Sequence, residues 1–250
     1  MNKAFQLVQL TDTHLFSDPK QTKYDINHYQ SFHKILAHIQ QNTAPNLLLH
    51  TGDIVDDIEE TAYEHAIKGL KKTNLDIAWM VGNHDDLTLA EHIFEKHNLP
   101  RQQHKILNET WQIILLNSHT PNMIGGHLSQ EEFSHLENSL QTHPNHFTIV
   151  AVHHHPTPIS HRSYDKIMLD NGDELIKKLQ KYSKVKIVLF GHVHQELKQR
   201  IGDIDYLSCP STCSQYKPKC ETFIRDDMSA GYRVINLFDD GRYETKVVRI

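Results

Sequence analysis

At 250 residues the chain is long enough for one large domain or two small ones. Its 26 Lys and Arg against 31 Asp and Glu leave a net charge of −5, which excludes a broadly basic nucleic-acid binder. Only 38% of the residues are hydrophobic and no run approaches the ~18 apolar residues of a spanning helix, so a membrane protein is excluded too.

In chain order, the opening MNKAFQLVQL runs directly into a strand over 5–10. It lacks an apolar h-region with a small-residue cleavage site, so no secretory signal is expected. A helix over 28–41 follows, with Phe32, Ile35, Leu36 and Ile39 at i, i+3, i+4, i+7 on one face. Short Val-, Ile- and Leu-rich runs predict strands over 46–50, 77–81 and 111–116. Ser129 with Glu132 three residues on reads as a capping box that opens a helix over 129–140. Strands over 147–152 and 186–190 enclose a third helix over 173–182. The end of the chain turns β-rich, with strands over 206–207, 232–238 and 243–250 and a hairpin turn at Asp240-Gly241. Strand–helix alternation gives an α/β class. With no linker, low-complexity tract or repeat, a single domain over 1–250 is expected. Cys209, Cys213 and Cys220 are an odd set without C-x2-C pairs, which points to reduced thiols in the cytoplasm.

The chemistry collects at the strand ends. The strand over 5–10 leads into Thr11-Asp12-Thr13-His14 and the next into Thr51-Gly52-Asp53. Those that follow lead into Gly82-Asn83-His84-Asp85, His153-His154-His155-Pro156 and Gly191-His192-Val193-His194. In an open α/β sheet, ligands bind beyond the carboxyl ends of the strands. Imidazole nitrogens with hard oxygen donors suit divalent metals such as Mn, Fe, Co or Zn. Asp12 and His14, like His192 and His194, fall at i, i+2 and share a side of an extended segment. Singly, a D-x-H or a Gly-Asp is a turn or a cap, and Asn83 equally suits a helix cap. Five such ends in order are another matter, and the 21 histidines of the chain supply the residue type in excess.

The set D-x-H, G-D, G-N-H-D, H-H and G-H-x-H resembles the calcineurin-like metallophosphoesterases. The finer features are similar to bacterial class III 3′,5′-cyclic-AMP phosphodiesterases: the stretch from Gln9 to Phe16, the triple histidine, Gly191 to Leu197, and the stretch from Pro210 through Ser211-Thr212-Cys213 and Tyr216 to Pro218. The resemblance implies a four-layer α/β/β/α sandwich with two divalent ions, iron or manganese first, with zinc, cobalt or magnesium as alternatives. One ion falls to Asp12, His14, Asp53 and His194, the other to Asp53, Asn83, His153 and His192, so that Asp53 bridges them. His153 is preferred over His154 because the family ligand comes first after the strand. His84 is implied as the catalytic histidine, with Asp85 orienting it. The substrate contacts implied are His14, Asp53, Asn83, His84 and His194, with Thr212 and Cys213 from the subfamily loop.

Two divalent ions, two carboxylates and a bridging hydroxide leave about +1, which complements a phosphodiester monoanion. The expected reaction is hydrolysis of 3′,5′-cyclic AMP to 5′-AMP by that hydroxide. The same ligands also serve a glycerophosphodiesterase, a broad nucleotide phosphodiesterase or a lipid-linked pyrophosphatase. A non-catalytic scaffold on this fold is disfavoured because every ligand position and His84 is filled. No nucleic-acid or membrane partner is expected, and the sequence leaves the oligomeric state open.

Overall fold

The computed structural model describes residues 4–250. Consecutive apolar residues in a strand point to opposite faces, so a run without polar alternation must be covered on both sides. That is the arrangement found. Val8, Leu48, Ile77 and Trp79 face outward against helices, whereas Leu7, Leu47, Leu49, Ala78 and Met80 face a second sheet. The first sheet runs Tyr243–Arg249, Gly231–Leu237, Phe5–Leu10, Leu47–Thr51, Asp76–Met80. The last three are parallel, and the C-terminal hairpin adds antiparallel to Phe5–Leu10.

The second sheet runs Lys198–Ile201, Ile204–Ser208, Val185–Phe190, Phe147–Val152, Trp111–Leu116, His104–Ile106. Its four central strands are parallel and its two edge strands antiparallel. Ile113, Leu115, Ile149, Ala151, Ile187 and Leu189 meet the first sheet, while Ile114, Leu116, Val150 and Val188 pack on the outer helices. Truncating an inter-sheet residue such as Leu49 to alanine would cost about 2–5 kcal/mol, because two rigid sheets cannot close on the cavity.

Helices His28–Asn42, Glu60–Lys71 and Leu87–Lys96 cover the first sheet, and Gln130–Thr142 and Gly172–Leu179 the second. The result is the expected α/β/β/α order of layers. The helices Glu60–Lys71 and Leu87–Lys96 and the short edge strands His104–Ile106 and Lys198–Ile201 come in addition to the expected elements. Half of the expected capping box forms. Ser129 Oγ accepts the Glu132 N–H, but the Glu132 carboxylate turns instead to the Asn117 N–H and the Gln103 side chain. No helix among the described residues is long and apolar enough to cross a membrane.

The two sheets are tied together at the carboxyl ends of their strands. The His153 ring, from the second sheet, donates through Nδ1 to the Thr51 carbonyl of the first at 2.8 Å. The Asp12 carboxylate accepts the His192 N–H on both oxygens at 3.1 Å.

Candidate metal centre

The turns that leave these strands are not extended. Asp12, His14, Asp53, His192 and His194 have φ of 52°, 44°, 53°, 67° and 50°. Left-handed backbone at a side chain with a Cβ costs on the order of 1 kcal/mol or more and persists only where surroundings enforce it. Here the enforcement is tertiary. The Asp12 N–H donates to the Gly52 carbonyl (3.0 Å) and the His14 N–H to the Asp53 carbonyl (3.1 Å). The expectation that i, i+2 residues converge on an extended segment is therefore corrected: Asp12 and His14 converge because both turn left-handed. Gly82 is required by close approach, since a Cβ there would collide with Asp53 Oδ1 and the Asp53 backbone nitrogen.

Asp53 sits between two groups of donors. Its Oδ2 lies 3.6 Å from His14 Nε2, and its Oδ1 lies 3.4 Å from His153 Nε2. On the His14 side, Asp12, His14 and His194 bring one ligand atom each within 4.8 Å of one another, with His14 Nε2 and His194 Nε2 3.1 Å apart. On the other side, His153, His154 and His192 come within the same limit of 4.8 Å. His153 Nε2, His192 Nε2 and Asn83 Oδ1 are buried and make no hydrogen bond. A buried polar atom without a partner costs about 1–3 kcal/mol, and a cation among these donors removes that penalty. The donor set thus fits divalent metal on both sides of Asp53.

Neighbouring groups fix the ring orientations. With His153 Nδ1 on the Thr51 carbonyl and His194 Nδ1 on the Ser214 carbonyl (2.7 Å), each ring turns its Nε2 lone pair toward the centre. His154 differs, because both its nitrogens are engaged, Nδ1 with Ser118 Oγ (2.8 Å) and Nε2 with the Ile124 carbonyl (3.0 Å). His155 stacks on His192, with ring centroids 5.7 Å apart.

Charges reinforce the geometry. Burial by itself raises the Asp53 carboxyl, but the facing His153, His14 and His84 rings overcome it and hold it well below the usual range. Burial likewise depresses His153 and His194, yet Asp53 and Asp12 respectively raise each to about 9. Burial, reinforced by the neighbouring His154, His153 and His155, pushes His192 well below its ordinary value.

His84 lines the pocket mouth, with its side chain 40% exposed and its ring centroid 4.6 Å from that of His14. Asp85 does not orient it. The Asp85 carboxylate is buried and accepts the N–H groups of Ile54, Val55 and Gly82, so it shapes the turn that carries Asp53. Burial and the charge of Asp53 push it up to about 7. Two other carboxylates flank His84: Asp53 Oδ1 accepts its backbone N–H at 2.9 Å, and Asp56 Oδ1 lies 3.7 Å from His84 Nδ1, 3.2 Å from His14 Nδ1 and 2.9 Å from Lys23 Nζ. Sequence reasoning passes over Asp56, although it stands three residues after Asp53 in the same turn.

The subfamily loop is also corrected. Thr212 is fully buried and does not line the pocket; its N–H donates to the Thr11 carbonyl, and its own carbonyl accepts Ser31 Oγ. Cys213 borders the pocket, but its thiol turns to the Asp12 carbonyl, which also accepts Ser211 Oγ at 2.8 Å. The loop therefore braces the Asp12 turn. The pocket itself encloses about 240 Å³ and, besides His14, Asp53, Asn83, His84, His192 and His194, includes Tyr216 from the Pro210–Pro218 stretch together with Tyr164 and Phe223, which carry no motif.

A calcineurin-like phosphoesterase family model matches residues 5–196. The chain is 34% identical over 248 residues to a Haemophilus influenzae protein named 3′,5′-cyclic adenosine monophosphate phosphodiesterase CpdA, covering 99% of this chain and 90% of that one. It is 32% identical over 246 residues to the Escherichia coli K12 protein of the same name, covering 98% and 90%. In fold it is similar to a dimetal phosphatase from Danio rerio, with a TM-score of 0.73 at 12% identity over 98% of this chain and 96% of that one.

Proposed function

The chain belongs to the calcineurin-like phosphoesterase family, and from that premise we propose that it hydrolyses 3′,5′-cyclic AMP to 5′-AMP at a centre of two divalent metal ions. Asp12, His14, Asp53 and His194 hold one ion; Asp53, Asn83, His153 and His192 hold the other. The observation that carries the reading is Asp53, whose two oxygens lie 3.6 Å and 3.4 Å from imidazole nitrogens of opposite half-sites. Imidazole, carboxylate and amide donors together suit iron or manganese. When bound, the ions polarise the phosphoryl oxygens and lower the pKa of a shared water.

The chain's own residues do the rest. Asp12 and Asp53 remove two of the four positive charges of the ions, which brings the centre toward the charge of a singly charged diester. Thr51 and Ser214 lock His153 and His194 with Nε2 inward, so no reorganisation is needed when the ions or the substrate arrive. The Nδ1 of His84 faces Asp56, which leaves Nε2 to donate to a phosphoryl oxygen or to the departing 3′ oxygen. Site residues come from turns of both sheets, which supports residues 1–250 acting as one domain. The buried free thiols of Cys209 and Cys213 suit the reducing cytoplasm.

The test is a substrate panel on the metal-loaded protein, with products separated by chromatography. We expect 3′,5′-cyclic AMP to give 5′-AMP with a higher kcat/KM than 2′,3′-cyclic AMP or glycerophosphodiesters. A glycerophosphodiester turned over faster than 3′,5′-cyclic AMP would overturn the substrate assignment.

A further inference from the structure

The pocket has two chemically different ends. One is the polar donor cluster around Asp53. The other is a wall of three aromatic rings from two separate segments: Tyr164 from the short helical turn Tyr164–Lys166, Tyr216 from the ribbon Gln215–Tyr216, and Phe223 from the turn between Tyr216 and the partner strand Arg225–Asp226. The rings form one body, with Phe223 4.8 Å from Tyr164 at 88° and 5.7 Å from Tyr216 at 63°. The wall is continuous with the donor cluster, because Tyr164 lies 5.8 Å from His192 and Tyr216 lies 5.2 Å from His194, centroid to centroid.

Phe223 is 49% exposed, and Ile124, also on the pocket lining, is 60% exposed. Large apolar side chains left open at the rim of a polar site mark the place of a ligand's apolar part. Lys23, which lines the pocket, lies 2.9 Å from Asp56. Among the described residues, the pocket lining therefore offers no unpaired Lys or Arg for a second phosphate. The aromatic end suits a flat, neutral group attached close to an anionic one.

We propose that Tyr164, Tyr216 and Phe223 form a base-binding subsite, on which the nucleobase of a nucleotide stacks while its phosphate occupies the donor cluster. This deepens the phosphodiesterase reading and rests on it for the position of the phosphate. The subsite supplies preference for nucleotides over small diesters, which a metal centre that recognises only phosphate does not give. Stacking on an aromatic ring is strong and tolerant of which base is presented, so purines of either kind are accepted.

The test is calorimetric binding to the manganese-loaded protein, which needs no turnover. We expect AMP to bind at least about tenfold more tightly than ribose 5-phosphate. Phe223→Ala should remove most of that difference while changing ribose 5-phosphate affinity less than about twofold, and Phe223→Trp should preserve it. Phe223 is half-exposed and lies outside the buried core clusters, so the truncation should leave the sheets folded; Tyr216→Leu is the second variant and should act in the same direction. Equal affinities for AMP and ribose 5-phosphate in the wild type would overturn the subsite. So would equal losses for both ligands in Phe223→Ala, or a Phe223-dependent preference for a glycerophosphodiester over AMP. Base-dependent AMP binding without turnover of 3′,5′-cyclic AMP would uphold the subsite and refute the phosphodiesterase reading instead.

Discussion

The donor turns and the aromatic wall share one pocket yet are built in opposite ways. The donors are buried, left-handed in backbone at Asp12, His14, Asp53, His192 and His194, and tied to both sheets by hydrogen bonds. The wall stands on a two-residue ribbon and a single helical turn, and its outermost ring, Phe223, is half-exposed. Rigid preorganisation suits chemistry on a phosphate that every substrate shares. A wall that runs from the buried Tyr164 to an open outer edge at Phe223 suits recognition of the part that differs between substrates.

The sharpest way to break this contrast is at its rigid end. Asp53→Ala should empty or scatter both ions and lower phosphodiester turnover by about a thousandfold or more; metal analysis beside the rate measures both. Two retained ions with near-normal turnover would remove the bridge. One step smaller, His153→Ala should lose metal from one half-site. His154→Ala should keep both ions and lose stability, because Ser118 and the Ile124 carbonyl lose their partner. The reverse order of metal loss would move the ligand to His154.

The same logic separates His84 from its neighbour. His84→Ala should lower kcat by about a hundredfold with metal content and melting temperature unchanged, since its ring holds no buried group in place. Asp85→Ala should destabilise the fold by about 3 kcal/mol, because Ile54, Val55 and Gly82 are left with orphaned N–H groups. If thermal denaturation shows no such loss, Asp85 does not brace the turn that carries Asp53.

These contrasts also show what the sequence made legible. The strand–helix alternation and the order of the donor turns could be read because each turn follows an apolar run with its own residue signature. The backbone conformation of those turns could not, since it depends on the Gly52 and Asp53 carbonyls some forty residues from Asp12 and His14. Asp85 looks like a partner of His84 by adjacency, but its acceptor role is set by N–H groups from the previous strand end. Tyr164, Tyr216 and Phe223 have no spacing that joins them, and only packing brings them together. The helix Leu87–Lys96 carried a signal of its own, with Asp86 capping it through the Leu89 N–H at 2.7 Å, but Asn83, His84 and Asp85 just before it drew the reading toward metal chemistry.

Proton linkage gives a smaller effect with a definite sign. His153 and His194 in the metal-free protein have pKa values raised to about 9 by Asp53 and Asp12. Their protonated pairs stabilise the metal-free fold fully below the ordinary histidine value near 6.5, and that contribution fades as pH rises through about 9. Metal must displace these protons, so loading at pH 7.5 should release about two, read from calorimetry in buffers of different ionisation enthalpy. Metal affinity should weaken as pH falls from 9, and excess metal should shift the acid limb of activity to lower pH. An acid limb unmoved by metal would assign it to a titrating catalytic group. The smallest effect is at the thiols. Burial pushes Cys209 up to about 12 and raises Cys213, so in the native protein only the partly exposed Cys220 should react with a maleimide.

The central claim is that Asp53 joins two ions into one centre, and electron paramagnetic resonance of the manganese-loaded protein tests it most directly. An exchange-coupled pair is expected in the wild type at two ions per chain, with the coupled signal lost in Asp53→Ala. A single uncoupled six-line spectrum at one ion per chain in the wild type would contradict it.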